Sequence, residues 1–291
     1  MSKKYFVISD VHSFFDEMFD SLTEKGFEIN NPDHILVVCG DIFDRGTQPL
    51  AVYNFLRDLP KERRILIRGN HEFLLKDLVE RKHAEWHDES NGTYRTLFYL
   101  AGLDKDEITN DYYKQAFASD VYDPVHEDQL RREYDERMNS VFTTNIIKEV
   151  LEWIASDEWV NYWETDNYIF CHAWIPIHQQ INWEKSRWMG QLIVEAEFYR
   201  DDWRNATQTE WDDATWYCPW KKAQDKLNQT GKTIVCGHWH TSDFFNHLTK
   251  QRKGKYDCPI FKSKRYKLIG LDACTVISHL VNVLVLNEEE L

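Results

Sequence analysis

The chain lacks the features that mark several large protein classes. Its 291 residues include only 11 Gly and 7 Pro, which excludes collagen-like and low-complexity chains. No apolar run approaches the roughly eighteen residues that a membrane-spanning helix needs. Basic residues are in deficit, with 35 Lys and Arg against 49 Asp and Glu. The resulting net charge of −14 disfavours stable binding to nucleic acid or to an anionic membrane. These absences leave a globular chain with a large core.

The cysteine pattern and the first residues bear on the cellular compartment. The 6 cysteines are too few for a disulfide-rich miniprotein. Cys39, Cys171 and Cys236 each end an apolar run just before a polar motif, which is typical of buried, reduced thiols. The first apolar segment runs directly into Asp10 and His12, so it has neither the length nor the cleavage site of a signal peptide. We therefore expect a cytoplasmic protein.

Short apolar runs alternate with helical patterns in the first third of the chain. The runs Tyr5–Ser9, Ile35–Cys39 and Ile65–Arg68 are typical of buried parallel strands. Helical spacing between and after them predicts helices over 14–26, 49–59 and 73–82. A β-α-β-α-β-α order of this kind predicts an α/β sheet with right-handed crossovers.

The strand pattern is interrupted twice and then resumes. Residues 83–161 are predicted to form an acidic, helical insertion or cap, with an amphipathic helix over Val141–Ile154. Residues 174–230 are predicted to form a Trp-rich insertion, within the wider region from Trp153 to Trp220 that holds ten of the 12 tryptophans. Further strands are predicted at Tyr168–Cys171, Thr233–Cys236, Lys267–Leu271 and Leu280–Leu286. We therefore interpret residues 1–291 as a single domain with two insertions.

Polar motifs follow five of these strands directly. Their chemically active members are Asp10, His12, Asp41, Asp44, Asn70, His71, His172, His238 and His240. In an open α/β sheet, ligands bind beyond the carboxyl ends of the strands, so these segments are predicted to meet at one rim. Oxygen and imidazole donors without a thiolate suit Mn²⁺, Fe or Zn²⁺. Seven of the donors are enough for a two-metal site about 3.5–4 Å across.

The motifs resemble those of a known family. The segments DVH (10–12), GDIFDRG (40–46), GNHE (69–72), CHAW (171–174) and GHWH (237–240) resemble the calcineurin-like metallophosphoesterases in type and order. DRG and GNHE are similar to the phosphoprotein phosphatase branch. The resemblance implies an α/β fold of four layers, α/β/β/α, in which helices flank a two-sheet β sandwich with metals at the strand ends.

The resemblance also implies a role for each donor. It places Asp10, His12 and Asp41 on a first metal, with Asp41 bridging to a second one. The second metal would also take Asn70, His172 and His238. His240 would add a ligand to the first metal, which is more typical of the wider superfamily than of the protein phosphatases. Two divalent cations are thus expected, Mn²⁺ foremost, with Fe or Zn²⁺ as alternatives.

Three further residues complete the expected catalytic set. By the resemblance, His71 is the general acid, Asp44 orients it, and Arg45 binds the phosphoryl oxygens. The phosphatases also have a second phosphate-binding arginine between the last two histidine motifs. This chain has no clear equivalent, and the unplaced candidates are Arg187, Arg200 and Arg204.

The function expected on this basis is hydrolysis of phosphate monoesters by attack of a metal-bound hydroxide, as in serine/threonine protein phosphatases. The substrate would be a phosphorylated small molecule, a phosphopeptide or a nucleotide. One alternative is a nucleotide hydrolase, either a dinucleoside polyphosphatase or a phosphodiesterase. It is favoured by GHWH and by the tryptophans, which either stack on bases or, as we expect more readily, pack in the core. The other alternative is an inactive metal-binding interaction module.

Overall fold

The structure of the chain is a computed structural model. It describes residues 2–82, 85–103, 129, 132, 136, 138–180, 183–185, 192–194, 197–199, 201–218 and 227–291. Large parts of both predicted insertions, including the acidic stretch 104–128 and segments of the Trp-rich region, therefore lie outside the described residues. The placement of domain and insertion boundaries stays a prediction.

Each of the seven predicted apolar runs contains a strand, and the structure has further strands that the sequence analysis did not predict. They are β1 (Lys4–Ile8), β2 (His34–Cys39), β3 (Arg64–Ile67), β4 (Trp159–Val160), β5 (Trp163–Glu164), β6 (Tyr168–Phe170), β7 (His178–Gln180), β8 (Trp183–Lys185), β9 (Leu192–Val194), β10 (Glu197–Tyr199), β11 (Thr233–Cys236), β12 (Phe261–Ser263), β13 (Leu268–Gly270) and β14 (Leu284–Asn287).

The helices are mostly short. They are α1 (Phe15–Glu24), α2 (Pro49–Asp58), α3 (Asn70–Arg81), α4 (Trp86–Asn91), α5 (Thr93–Leu100), α6 (Asn145–Ile154), α7 (Gln208–Ala214), α8 (Thr241–Leu248) and α9 (Thr275–Ser278). Short 3₁₀ helices cover Lys61–Arg63, Trp203–Asn205 and Glu288–Glu290.

Two five-stranded mixed sheets form the centre of the molecule. The first sheet has the order β14-β1-β2-β3-β4, and the second has the order β12-β13-β11-β6-β5. β1 to β4 run parallel to one another, with β14 antiparallel at the edge. In the second sheet β6, β11 and β13 are parallel, and an antiparallel strand closes each edge. Parallel central strands bring their carboxyl ends to one edge of each sheet.

The core has three layers of apolar contact. Alternate residues of one strand serve two of them: Phe6 and Ile8 pack against helices such as α1, whereas Val7 packs in a cluster shared by both sheets. That shared cluster also contains Phe170 and Val235 of the second sheet. A third cluster lies between the second sheet and its helices. Strand periodicity of two thus produces two sheets face to face, with helices outside, as in the metallophosphoesterase fold.

Three predicted elements differ from the observed ones. α3 begins at Asn70 rather than at Phe73, because the Glu72 carboxylate accepts the backbone N–H of Gly69 and closes the first turn. The predicted helix over Val141–Ile154 is broken at residues 143–144, where the Thr143 and Thr144 hydroxyls bond to backbone carbonyls. The last strand begins at Leu284, so residues 280–283, with Leu280 exposed, form a connection instead.

Candidate metal centre

Left-handed turns at the strand ends aim the polar side chains. After β1 and β2 the backbone adopts positive φ at Asp10 (54°), His12 (50°), Asp41 (57°) and Asp44 (73°), and His238 after β11 does the same (64°). Such conformations are strained for residues with a side chain and persist where the surroundings hold them. Here the turns hold one another, since the His12 N–H donates to the Asp41 carbonyl at 3.0 Å.

The turns bring donors from both sheets together. His12, Asp41 and His71 place one ligand atom each within 4.8 Å of one another, and so do Asp41, His172 and His238. The His172 Nε2 atom lies 3.2 Å from an Asp41 oxygen and 3.2 Å from the His238 Nδ1 atom. Asp41 belongs to both groups, so a single buried carboxylate joins them.

The remaining predicted donors occupy different positions around these groups. Asn70 directs its Oδ1 atom at His172 Nε2, 2.8 Å away, and therefore lies in the cluster. Asp10 lies at its edge, where both carboxylate oxygens accept the His238 backbone N–H at 3.0 Å. His240 is farther out, with a side chain 36% exposed and 4.0 Å from the carboxylate of Asp272.

Two glycines allow the segments around the site to approach one another closely. A β-carbon on Gly237 would collide with the side chains of Ser9 and Asp10, and one on Gly69 would collide with Asp41. The motifs GHWH and GNHE therefore require glycine for close approach rather than for a special backbone angle. This approach lets the Asp10 carboxylate reach the backbone of the last histidine motif.

Burial and neighbouring charges shift the pKa values of the ionisable groups in the cluster. Burial raises the pKa of Asp10 well above its ordinary value, and the charge of Asp272 raises it further. Burial by itself would raise the pKa of Asp41, but His172 and His71 outweigh it and hold that pKa well below its usual range. Burial and the charge of His172 lower the pKa of His238 to about 3. A cation among these groups would stabilise the ionised carboxylates and the neutral imidazoles.

The residues present fit divalent metal ions. The cluster offers carboxylate, amide and imidazole donors and no thiolate, a combination that suits Mn²⁺, Fe or Zn²⁺. The buried Asp10 carboxylate also lacks enough positive charge within the protein. The two groups joined by Asp41 could therefore hold two cations.

His71 and Asp44 form a buried pair beside the metal donors. The His71 Nδ1 atom lies 2.6 Å from the Asp44 carboxylate, and its Nε2 atom lies 3.9 Å from Asp41. Burial lowers the pKa of His71, but Asp41 and Asp44 outweigh it and raise the pKa above its ordinary value. The pair orients the imidazole with one nitrogen bound to Asp44 and the other facing the cluster.

Two threonines missed by the sequence analysis hold Asp44 in place. Thr93 donates to Asp44 Oδ2 at 2.7 Å and Thr96 to Oδ1 at 2.9 Å, while the Thr96 hydroxyl oxygen accepts the Asp44 backbone N–H. Both belong to α5, in the insertion that was predicted to be a cap. A spacing of three residues places them on one helix face, and this was the only sequence signal available.

The glutamate of GNHE is a second residue whose role the sequence analysis did not assign. The Glu72 side chain is fully buried and accepts the backbone N–H groups of Asp41 (3.1 Å), Ile42 (2.9 Å) and Gly69 (2.7 Å). Burial, followed by the charge of Asp41, raises its pKa to about 7. Glu72 thus connects the turn after β2 to the start of α3, which carries Asn70 and His71.

Arg45 lies on the exposed rim of the cluster. Burial and the charge of His71 are the main causes that lower the pKa of His12, and the positive charge of Arg45 lowers it further. The Arg45 guanidinium donates to the Asn91 side-chain oxygen at 3.4 Å. Of the candidates for a second phosphate-binding arginine, Arg204 is bound to the Glu164 carboxylate at 2.7 Å and is already neutralised. Arg187 and Arg200 lie outside the described residues.

Among the described tryptophans, three are buried in the core and one is exposed beside the metal donors. Trp174, Trp203 and Trp211 are buried in the cluster behind the second sheet, which agrees with the packing interpretation. Trp216 is 51% exposed, and its ring centroid lies 5.7 Å from that of His238. One large aromatic face is therefore open to solvent beside the metal donors.

Comparisons with known proteins agree with this geometry. A family model described as calcineurin-like phosphoesterase matches residues 3–242. Two curated relatives are asymmetrical bis(5'-nucleosyl)-tetraphosphatases named PrpE. The one from Bacillus velezensis is 25% identical over 133 residues, covering 43% of this chain and 53% of that protein. The one from Bacillus subtilis is 28% identical over 141 residues, covering 43% and 54%. The matches thus span about half the length of each relative.

A solved structure shows the same fold. A point mutant of a cold-active protein tyrosine phosphatase superposes with a TM-score of 0.50 at 16% identity, over 99% of this chain and 76% of that one. Within the described residues, no helix is both long and apolar enough to cross a membrane.

Proposed function

Since the chain belongs to the calcineurin-like phosphoesterase family, we propose that it hydrolyses phosphate monoesters with two divalent cations, as a serine/threonine phosphatase-like enzyme. The observation that carries the proposal is the position of Asp41, a buried carboxylate common to two groups of metal donors. A bridging carboxylate of this kind is what a two-metal hydrolase requires.

Asp10, His12, Asp41 and His240 would hold the first cation, and Asp41, Asn70, His172 and His238 the second. The second proposed ligand set contains one of the two groups, Asp41, His172 and His238, whereas the first set shares only His12 and Asp41 with the other group, whose third member is His71. The second set is supported by the short distances around His172. In the first set, Asp10 and His240 lie at the edge of the cluster, so their roles depend most on the family resemblance.

Bound cations would supply an activated water and neutralise charge on the phosphoryl oxygens, Mn²⁺ being our first choice of metal. The chain's own residues would do the rest. His71 would donate a proton from Nε2 to the departing alkoxide, because its Nδ1 atom is held by Asp44. Arg45, on the rim, would bind two phosphoryl oxygens with its planar fork.

The test is a substrate panel combined with metal analysis of the same sample. With Mn²⁺ we expect hydrolysis of para-nitrophenyl phosphate, and a phosphopeptide and diadenosine tetraphosphate are measured beside it. His71→Asn should reduce kcat by a factor of about 10²–10⁴ while two metals stay bound. Loss of the metals together with activity would show that His71 is a ligand rather than an acid. If the wild-type protein binds two metals and cleaves nothing, the interaction-module alternative replaces the enzyme.

A nucleotide hydrolase is the second candidate function. It is favoured by the exposed Trp216 ring beside His238, since aromatic faces stack on nucleobases, and by the printed names of the curated relatives. Trp216→Ala should then raise KM about tenfold for diadenosine tetraphosphate and leave para-nitrophenyl phosphate unchanged. Tyr256→Ala removes a comparably exposed aromatic side chain and serves as the control. An equal effect on both substrates would count against base stacking.

We also propose that the protein works in a reducing compartment, the cytoplasm. All 6 cysteines are free thiols. Burial raises the pKa of Cys39 and Cys171 well above the ordinary value, which keeps these thiols protonated and unreactive. Thiol titration of the denatured protein after purification without reductant should find all six.

A further inference from the structure

Asp272 is a buried carboxylate to which the proposed mechanism gives no role. It lies two residues beyond β13, which runs parallel to β11, so it reaches the same rim as the donors that follow β6 and β11. Its side chain is only 6% exposed. Among the described residues, no lysine or arginine lies within ion-pair distance of it, and the one basic side chain at that distance is His240. A buried carboxylate without a partner is unfavourable, which points to a contact with that imidazole.

Two contacts connect Asp272 to the segment that carries His240. The backbone N–H of Thr241, the next residue after His240, donates to the Asp272 carbonyl at 3.0 Å. The side chain faces the same segment, with Asp272 Oδ2 lying 4.0 Å from His240 Nε2. The other carboxylate oxygen, Oδ1, accepts the backbone N–H of Cys274 at 2.7 Å. The carboxylate is thus held in one orientation, and Oδ2 is the oxygen that remains for the imidazole.

The histidines of the site differ in what holds their rings. His12 Nδ1 lies 3.0 Å from the Phe43 carbonyl, and His172 Nδ1 lies 2.8 Å from a carbonyl of β2. Such a bond fixes a metal-binding imidazole, because one ring nitrogen is anchored and the other is presented to the cation. Within the described part of the chain, the His240 ring makes no hydrogen bond, and the Asp272 carboxylate is the acidic group beside it.

We propose that Asp272 is a positioning residue for the first cation: its Oδ2 atom accepts the N–H of His240 Nε2 and leaves Nδ1 available as the metal ligand. The inference rests on the proposed function, in which His240 binds that cation, and it adds a residue from outside the five motifs. A separation of 4.0 Å is too long for a hydrogen bond. The His240 ring is 36% exposed, so it has room to rotate toward Asp272 when the cation binds.

The experiment measures Mn²⁺ binding to the metal-free protein by calorimetry. His240→Gln identifies the first site as the one that it weakens. Asp272→Asn has the same shape and keeps an oxygen for the Cys274 N–H, and it should weaken the first site about 10–100-fold while the second site stays unchanged. Asp272→Glu keeps the charge and should retain more of the first-site affinity than Asp272→Asn does. Asp243→Asn, in the first turn of α8, removes the same charge near His240 and should bind both cations as the wild type does.

A double-mutant cycle tests whether Asp272 acts through His240. The charge of Asp272 also acts on Asp10, so its loss could weaken cation binding by a second route. If His240 transmits the effect, Asp272→Asn should change first-site affinity by less than about twofold when it is added to His240→Gln. Denaturant unfolding of each metal-free variant checks that the fold is retained.

The outcomes separate this inference from the proposed function. Wild-type Mn²⁺ affinities in Asp272→Asn would overturn the inference, and so would an equal loss at both sites or an undiminished loss in the His240→Gln background. A wild-type protein that binds two Mn²⁺ ions and cleaves no phosphate ester would overturn the proposed function alone, because the cation affinities are measured without substrate. Binding of fewer than two Mn²⁺ ions by the wild type would overturn both.

Discussion

The first sheet and the second sheet contribute to the rim in different ways. The turns after β1 and β2 are tied directly together, with Asp10 N–H donating to Gly40 and His12 N–H to Asp41, and Glu72 binds the β2 turn to α3. On the second sheet, His172 is buried, but His238 reaches the first sheet through its N–H on Asp10, and His240 is 36% exposed. The donors of the first sheet, here called the first half of the site, are thus tied to one another. The donors of the second sheet, the second half of the site, are positioned by contacts with the first half.

The comparison shows how strongly the site depends on close approach. Donors of the first half lie within about sixty residues of one another in sequence, and their left-handed turns hold them locally. Donors of the second half come from β6 and β11, and only packing of the two sheets brings them to the first half. The two halves meet at Gly237, so we expect a substitution at this position to disturb their packing most.

Gly237→Ala should have the largest effect. Its β-carbon would collide with Ser9 and Asp10, and overpacking of this kind should destabilise the fold by more than about 3 kcal/mol. We expect a lower unfolding midpoint in denaturant and reduced metal content. Gly254→Ala, where an added β-carbon meets nothing within 4 Å, is the control. Unchanged stability and metal content in Gly237→Ala would mean that the two halves are joined elsewhere.

Glu158→Gln and Glu164→Gln compare the two sheets away from the site. Glu158 binds Arg64 of β3, whose side chain is 4% exposed, whereas Glu164 binds Arg204, which is 43% exposed. We expect a loss of about 2 kcal/mol in the free energy of unfolding for Glu158→Gln and below about 1 kcal/mol for Glu164→Gln. Equal losses in the free energy of unfolding would contradict the expected difference between the two ion pairs.

The contribution of Glu158 to the free energy of unfolding should also depend on pH. Burial opposes ionisation of Glu158, but hydrogen bonds from Lys61 and Arg64 outweigh it and lower the pKa from 4.5 to about 2. A carboxyl group with a depressed folded-state pKa stabilises the fold fully above its unfolded pKa and loses that effect as the pH falls through the folded value. The gap between wild type and Glu158→Gln should therefore be full above about pH 4.5 and close toward pH 2, measured by denaturant unfolding.

Thr93→Val should have a smaller effect, confined to the first half. It removes the hydroxyl that donates to Asp44 Oδ2, the same oxygen that His71 contacts, and keeps the side-chain shape. We expect about a tenfold lower kcat with KM and metal content unchanged, because Asp44 would hold His71 less firmly. Thr143→Val, at an exposed threonine, should behave as the wild type does. A raised KM with an unchanged kcat would place Thr93 in substrate binding instead.

Much of the fold follows from local pattern. The runs at Ile35–Cys39 and Thr233–Cys236 are observed as strands, because an uninterrupted apolar stretch of that length is stable only when both of its faces are buried. The family membership also followed from the motifs, since their glycines and acidic residues are required at fixed places by the turns. Helix ends were less predictable: the start of α3 depends on Glu72, whose bond to Gly69 no periodicity reveals.

The motif analysis missed residues that contact the site residues and hold them in place. Thr93 and Thr96 lie in an insertion with no pattern in common with GDIFDRG, yet they hold its Asp44. Asp272 lies beside His240, thirty-two residues farther along the chain, and sits buried at the site.

From the order of its residues alone, the chain specifies its strands, the polar turn after each, and the kinds of donor atom those turns carry, because all of these depend on neighbours a few positions away. Which donors share one space, and which side chains from the insertion support them, depends on contacts between segments up to 228 residues apart, such as His238 with Asp10. Those contacts form only when the two sheets pack face to face, since burial of the apolar cluster between them sets the distance across the rim.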